Sequence, residues 1–231
     1  MALIPIFVPK EKNGKPYVEI KNLEFTWYPG QAVSQFRKSI DSLHKAGEKE
    51  GIVPILEISS KAESKQGRAA SAFNLHLIRG DKTMFVESVF QGSKVFENGG
   101  PYSDLYDKKP CEVKKDSRLK KSGNLVGFKF FEEHFDQSPM TFFYDWIYIN
   151  ALHENKELVY QVMNYNGFSD IVFNPKKSFN CQAYSAALYV SLCKFSDINE
   201  VLKSRESFLE ILRNEYNDKD NIRYFQPDMN L

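Results

Sequence analysis

Apolar residues gather at positions 4–9 and 16–21, on either side of an Asn13-Gly14 pair. That arrangement predicts two short strands joined in a hairpin. Glu24–Trp27 is a candidate third strand, and Pro29-Gly30 breaks the chain. Over 31–47 the spacing changes to that of a helix. Val33, Phe36, Ile40 and Leu43 form one apolar stripe, and Gly47 stands where a helix would stop. Residues 52–58, IVPILEI, read as a strand, and the polar stretch 59–70 reads as a loop.

The next helix carries Glu87, Gln91 and Lys94, with Thr83 as its expected cap and Gly99-Gly100-Pro101 as its expected end. At roughly 100° per residue these three polar side chains fall within about 60° of one another. Val86, Val89, Phe90 and Phe96 occupy the adjoining face. Further on, 127–131 reads as a strand, and TFFYDWIYINAL (141–152) leads into a helix near 154–163. Ile171–Phe173 reads as a short strand ending at Pro175. Residues 178–194 read as an Ala-rich helix able to pack closely through Ala183, Ala186, Ala187 and Val190. A last helix spans 197–216, capped by Ser196 or Asp197. With no internal repeat and no linker, the economical expectation is an α+β fold in one domain over 1–231.

Composition adds limits. The chain has 231 residues, enough to bury a core of its own, and a formal net charge of +1. No global basic field therefore demands nucleic acid, and such a contact has to come from a local patch. The run 108–121, with Lys108, Lys109, Lys114, Lys115, Arg118, Lys120 and Lys121 against Glu112 and Asp116, could contact phosphates, a solvated charged segment being the commoner case. Phe (19) and Tyr (12) are numerous, which suggests an aromatic core, stacking surfaces or both. Cys111, Cys181 and Cys193 make an odd set without metal spacing, as expected of a reducing cytoplasm. The start, MALIPIFVPKEKNGK, reads as a strand rather than a signal peptide, and no apolar run approaches membrane-spanning length. A soluble cytoplasmic protein without a metal is the expectation.

Two constellations can carry chemistry. Glu87, on a partly apolar helix, suits general acid/base work if its stripe lines a cavity; a solvent-facing Glu is the commoner case. Lys94 can hold a phosphate or attack a sugar aldehyde. Ser71-Ala72-Phe73-Asn74 can hydrogen-bond a sugar or base and offer a ring face, or can form a simple turn. Tyr102, Tyr106 and Trp146 can stack on a base or pack in the core. No phosphate loop, dinucleotide fingerprint, zinc-protease or nucleophilic-triad pattern is present in the sequence.

The segment Glu87-Ser-Val-Phe90-Gln91-Gly-Ser-Lys94, preceded by SAFNL at 71–75, resembles the core signature of the NADAR superfamily, the YbiA-like fold. EISSK at 57–61, VFQGSKVFENGGPYSDLY at 89–106 and FYDW at 143–146 resemble its DarT-associated antitoxin branch. The resemblance is strongest over 1–152, with 153–231 expected to complete the domain as a helical part around a small mixed sheet. It implies an antitoxin enzyme that hydrolyses the N-glycosidic bond between ADP-ribose and guanine in DNA, reversing a DarT-type toxin. Its partner would be ADP-ribosylated, single-stranded DNA. No cofactor is implied, ADP-ribose being part of the substrate and the product. Glu87 and Lys94 match the catalytic positions; Ser71, Phe73, Asn74, Phe90, Gln91, Tyr102, Lys115 and Arg118 match substrate-binding ones. Ala72 stands where many relatives carry Asn. Asp170 and Asn180 are left without a role. A glycosidase on a phosphorylated ribosylamine metabolite and a non-catalytic ADP-ribose-binding module are the alternatives.

Overall fold

The computed structural model describes residues 1–137, 139, 141–173 and 181–216. In chain order the elements begin with β1 (Ala2–Lys12), β2 (Lys15–Phe25), α1 (Val33–Lys49), β3 (Ile55–Glu57) and α2 (Lys65–Ala69). They continue with β4 (His76–Arg79), β5 (Lys82–Phe85), α3 (Val86–Gly92), β6 (Lys94–Phe96), α4 (Pro110–Val113) and α5 (Arg118–Lys121). Next come β7 (Leu125–Phe130), β8 (Glu133–Phe135), α6 (Phe142–Glu154), α7 (Lys156–Val162) and β9 (Gly167–Ser169). The last are α8 (Gln182–Phe195), α9 (Ile198–Val201) and α10 (Arg205–Tyr216). The α+β class holds. The chain divides into two compact units: Met1–Ser71 with the chain from Lys156 onward, and Ala72–Asn155.

In the first unit the strand order is β2-β1-β9-β3, antiparallel except for the β3–β9 pair. The hairpin turn has positive φ at both Asn13 (55°) and Gly14 (76°), as a two-residue turn of matching twist requires. β2 runs through to Phe25, so the candidate third strand is its end. Alternation sorts the buried residues of β1. Ile6 and Val8 join Ile40 and Leu43 of α1 in one cluster. Phe7 instead meets Tyr184 of α8 edge-on, at 5.7 Å between ring centroids. Side chains that alternate across a strand thus place a helix on each face. α8 is buried from Gln182 through Leu192, consistent with its apolar, small-residue pattern.

Several expected boundaries move. Gly47 lies inside α1 rather than ending it: a Cβ there would sit 2.5 Å from Ile55 Cδ1 and 2.9 Å from Ile6 Cδ1. It is a close-approach position. β3 keeps only Ile55–Glu57 of the expected strand. The polar loop contains α2, capped by the Ser64 side chain, which accepts from Gly67 N–H. Ile171–Phe173 follows the observed strand β9 rather than forming one. The last helix is split into α9, capped by Asp197, and α10. Pro175, Asn180 and the expected start of the Ala-rich helix at 178–180 lie outside the described residues.

The second unit holds the hairpin β4–β5 and the sheet β6-β7-β8. The TFFYDWIYINAL segment is itself helix α6, buried along nearly its whole length, so no apolar stripe marks it. Its Phe143 packs on Phe128 and Phe135 at 4.8 Å, and its Tyr144 meets Phe90 edge-on at 5.1 Å. The aromatic core expected from composition is here, beneath α3.

Candidate functional site

The site is built on α3, and α3 is shorter than expected. Thr83 belongs to β5, and the helix ends at Gly92. Its start is satisfied by backbone instead of a side-chain cap. Val86 N–H donates to Leu75 O at 3.0 Å and Glu87 N–H to Ala72 O at 3.0 Å. These are the orphan donors every helix start carries, here satisfied by the Ala72–Leu75 loop. The β4–β5 hairpin makes that possible: its register sets His76 opposite Phe85, returning the chain to the loop it left. The two halves of the sequence motif are thereby joined by hydrogen bonds.

Lys94 is therefore not on the helix. It opens β6, paired with Phe128 of β7. The chain then folds back through Gly100, with φ of 85°, where a Cβ would lie 2.2 Å from Lys94 O. Tyr102 N–H closes the turn onto Gly92 O at 2.7 Å. Glu87 and Lys94 thus share no helical stripe, yet the two groups are near enough for the Glu87 charge to act on Lys94.

Glu87 is 7% exposed. Gln91 Nε2 donates to its Oε1 at 3.1 Å, one turn along the helix. Lys114 Nζ stands 3.4 Å from the same oxygen. Each lysine rides on an aromatic face: Lys94 Nζ is 4.8 Å from the Phe90 ring centroid, and Lys114 Nζ is 4.3 Å from that of Phe73. Cation–π contact of this kind fixes an ammonium while leaving its protons free to donate. Burial is the main force on Lys94 and lowers its pKa; the Lys114 charge adds to this and Glu87 opposes it. The cluster thus holds one carboxylate and two ammonium groups, a net positive set able to attract an anion.

Sequence reasoning singles out Lys115 and Arg118 and passes over Lys114. Ser88 Oγ donates to Lys108 O at 2.7 Å, tying the basic segment to α3 and bringing Lys114 to Glu87. Nothing in a Lys-Lys pair says which one turns inward. Lys115 is exposed. Arg118 is held by Asp104 and Asp116, each at 2.8 Å, and lies over the Tyr102 ring at 4.5 Å. The Arg118 guanidinium in turn holds the Asp116 carboxyl down at about 2 and lowers that of Asp104. Tyr102 also shares a hydrogen bond with Ser122. Tyr106 is buried, its hydroxyl 3.0 Å from Ser93 Oγ, and serves the core. Asn74 is exposed and Phe73 half-buried.

Ser71 belongs to the first unit and to a different cluster. Its hydroxyl donates to Gln182 Oε1 at 3.3 Å, and Gln182 Nε2 donates to Asp170 Oδ2 at 2.9 Å and to Ile58 O at 2.8 Å. Beside them Glu57 accepts from Ser169 Oγ at 2.6 Å and from Ile171 N–H at 2.9 Å. His44 Nε2 lies 2.9 Å from the same Ser169 hydroxyl. Burial, and then the Asp170 charge, push the Glu57 carboxyl well above the usual range, while burial lowers His44 to about 4. The resemblance leaves Asp170 unassigned; the structure gives it Gln182 and the Val172 N–H, at 3.1 Å, as partners.

The family model described as DarT1-associated NADAR antitoxin matches residues 2–222. No curated protein matches the chain.

Proposed function

The chain belongs to the DarT1-associated NADAR antitoxin family, and from that membership and the Glu87 cluster we propose that it is a glycohydrolase removing ADP-ribose from guanine in DNA. Pairing with a DarT toxin follows from the family. The observation that carries the reaction is the buried Glu87 carboxylate flanked by Lys94 and Lys114 on two aromatic faces.

Breaking a ribosyl C–N bond builds positive charge at the anomeric carbon, which a nearby carboxylate stabilises. In this reading Glu87 meets that charge and takes a proton from the attacking water. The water oxygen bonds to the anomeric carbon, and the bonding pair of the C–N bond leaves with guanine. The base requires a proton, and Lys94, whose ammonium is weakened by burial, is suited to give it. Gln91 steers the carboxylate through its hydrogen bond. The ADP-ribose diphosphate is an anion, and Lys114, beside Glu87, and the exposed Lys115 are the ammonium groups offered to it. Phe73 and Phe90 present the ring faces. Asn74, Tyr102 and Arg118 act as supports in this scheme. A modified base is reachable in single-stranded DNA or when flipped from a duplex. A cytoplasmic location goes with a DNA substrate, and among the described residues no helix is long and apolar enough to cross a membrane.

The test is purified protein with a guanine-ADP-ribosylated single-stranded oligonucleotide, wild type beside Glu87→Gln, read by gel mobility and mass spectrometry. Unmodified DNA plus free ADP-ribose from wild type alone supports the reading. Full activity in Glu87→Gln removes the assigned role, and an unchanged oligonucleotide with both proteins removes the reaction.

A further inference from the structure

The basic run on 108–121 is in good part neutralised internally. Lys108 faces Asp104, Lys114 faces Glu87, and Arg118 faces Asp104 and Asp116. The lysines of α1 are placed differently. Lys38, Lys45 and Lys49 stand at i, i+7 and i+11, on one helix face, spread over roughly 16 Å of axis. All three are exposed, and no ion pair among the described residues engages Lys45 or Lys49. They border a groove of about 570 Å³ between α1 and the end of β2, with Glu24 and Asp41 as its carboxylates. Three ammonium groups against two carboxylates leave the groove positive.

Tyr28 lines it, next in sequence to Trp27. Trp27 and Tyr28 are each 37% exposed. Two hydroxyls of α1 hold this segment in place: Ser42 Oγ accepts from Thr26 N–H at 3.0 Å, and Ser39 Oγ accepts from Tyr28 N–H at 2.9 Å. Trp27 is further braced edge-on by Phe25 and Phe36 at 6.4 and 6.1 Å. Lys38 Nζ lies 6.0 Å from the Tyr28 ring centroid. A line of ammonium groups beside fixed ring faces is what a single nucleic-acid strand requires: charge for phosphates and planes for unstacked bases.

We propose that the α1–β2 groove is a binding surface for single-stranded DNA, with Lys38, Lys45 and Lys49 on phosphates and Tyr28 under a base. This rests on DNA being the substrate in the proposed function. The test is fluorescence anisotropy of the full chain with an unmodified single-stranded oligonucleotide across a salt series. Three lost phosphate contacts at about 0.7 each should flatten the slope of log K against log salt by about 2 in K38Q/K45Q/K49Q. Tyr28→Ala should weaken binding several-fold at unchanged slope. Glutamine has a helix propensity close to that of lysine, so folding should persist; Lys45→Gln alone, with a slope change of about 0.7, is the milder variant. K109Q/K120Q/K121Q removes the same charge elsewhere. An equal slope change in that control reduces the effect to net charge and overturns the groove. An unchanged slope in the α1 variant does so too, with DNA binding itself intact. Failure of the wild type to bind the oligonucleotide also overturns the groove, whereas the DNA reading itself stands or falls on turnover of the ADP-ribosylated oligonucleotide.

Discussion

Glu57 and Glu87 are both buried glutamates, at 4% and 7% exposure, one in each compact unit. Their neighbours make them different. Burial, and then the Asp170 carboxylate beside it, hold the Glu57 proton tightly, against the Ser169 hydroxyl and Ile171 N–H that donate to it. Glu87 has ammonium groups beside it, Lys114 in contact and Lys94 acting through its charge. A buried carboxyl crowded by another carboxylate resists ionisation. Burial alone does not assign a role to a carboxyl group; the groups placed around it distinguish the two. In the proposed function the second cluster carries the reaction and the first does not take part.

The strongest break of that contrast is by substitution. Glu87→Gln should lower glycohydrolase turnover by about 10³-fold, within the range of acid/base contributions, while ADP-ribose binding by calorimetry stays nearly intact. Glu57→Gln should keep turnover within a few-fold. Equal losses in the two variants, both with normal melting, would erase the distinction. Next in size, Lys94→Arg preserves charge but removes an amine whose pKa is lowered, and turnover should fall about 10²-fold. In the wild type, the pH profile of kcat should show a group titrating below the ordinary lysine range, and that limb should vanish in Lys94→Arg.

A stability effect sharpens the same contrast. Gly100→Ala puts a Cβ against the Lys94 carbonyl at a positive φ, so it should cost about 1–3 kcal/mol and lower Tm, with loss of activity as β6 shifts. Gly80→Ala, also at positive φ but with open space around it, should cost less.

The smallest effect is in pH. Glu57 has a raised folded pKa, so its contribution is favourable at low pH and is lost as pH rises through the folded value. His44 has a lowered one, about 4, so its contribution is present above its unfolded value of about 6.5 and is lost as pH falls toward 4. Below about pH 6.5 the two changes oppose each other; above it only Glu57 still titrates. Tm should therefore decline as pH rises above about 6.5, a tenfold difference in proton affinity being worth about 1.4 kcal/mol, and Glu57→Gln should flatten that decline. A wild-type Tm that climbs over this range would contradict the assignment.

The legible parts of the chain were those with local causes. The Asn13-Gly14 hairpin, the Phe36–Ile40–Leu43 part of the α1 stripe (Val33 is 45% exposed) and the Asp197 cap each rest on neighbours in sequence. The Glu87–Gln91 pair was legible too, being one helical turn apart. What failed had distant causes. Gly47 reads as a helix stop until Ile6 and Ile55 are seen against it. The start of α3 reads as needing Thr83 until the carbonyls of Ala72 and Leu75 are seen to satisfy it. The α6 segment carries no stripe because apolar neighbours enclose it on nearly every side.

By itself, then, the sequence determined the α+β class, the family motif and the candidate carboxylate Glu87, because periodicity, turn chemistry and motif spacing act over a few residues. Only the tertiary structure decided that Lys94 reaches Glu87 from a strand, that Lys114 rather than its neighbour meets the carboxylate, and that Arg118 is held by two aspartates. Those outcomes depend on which surfaces meet when the chain closes on itself, and spacing along the chain does not encode distance across it.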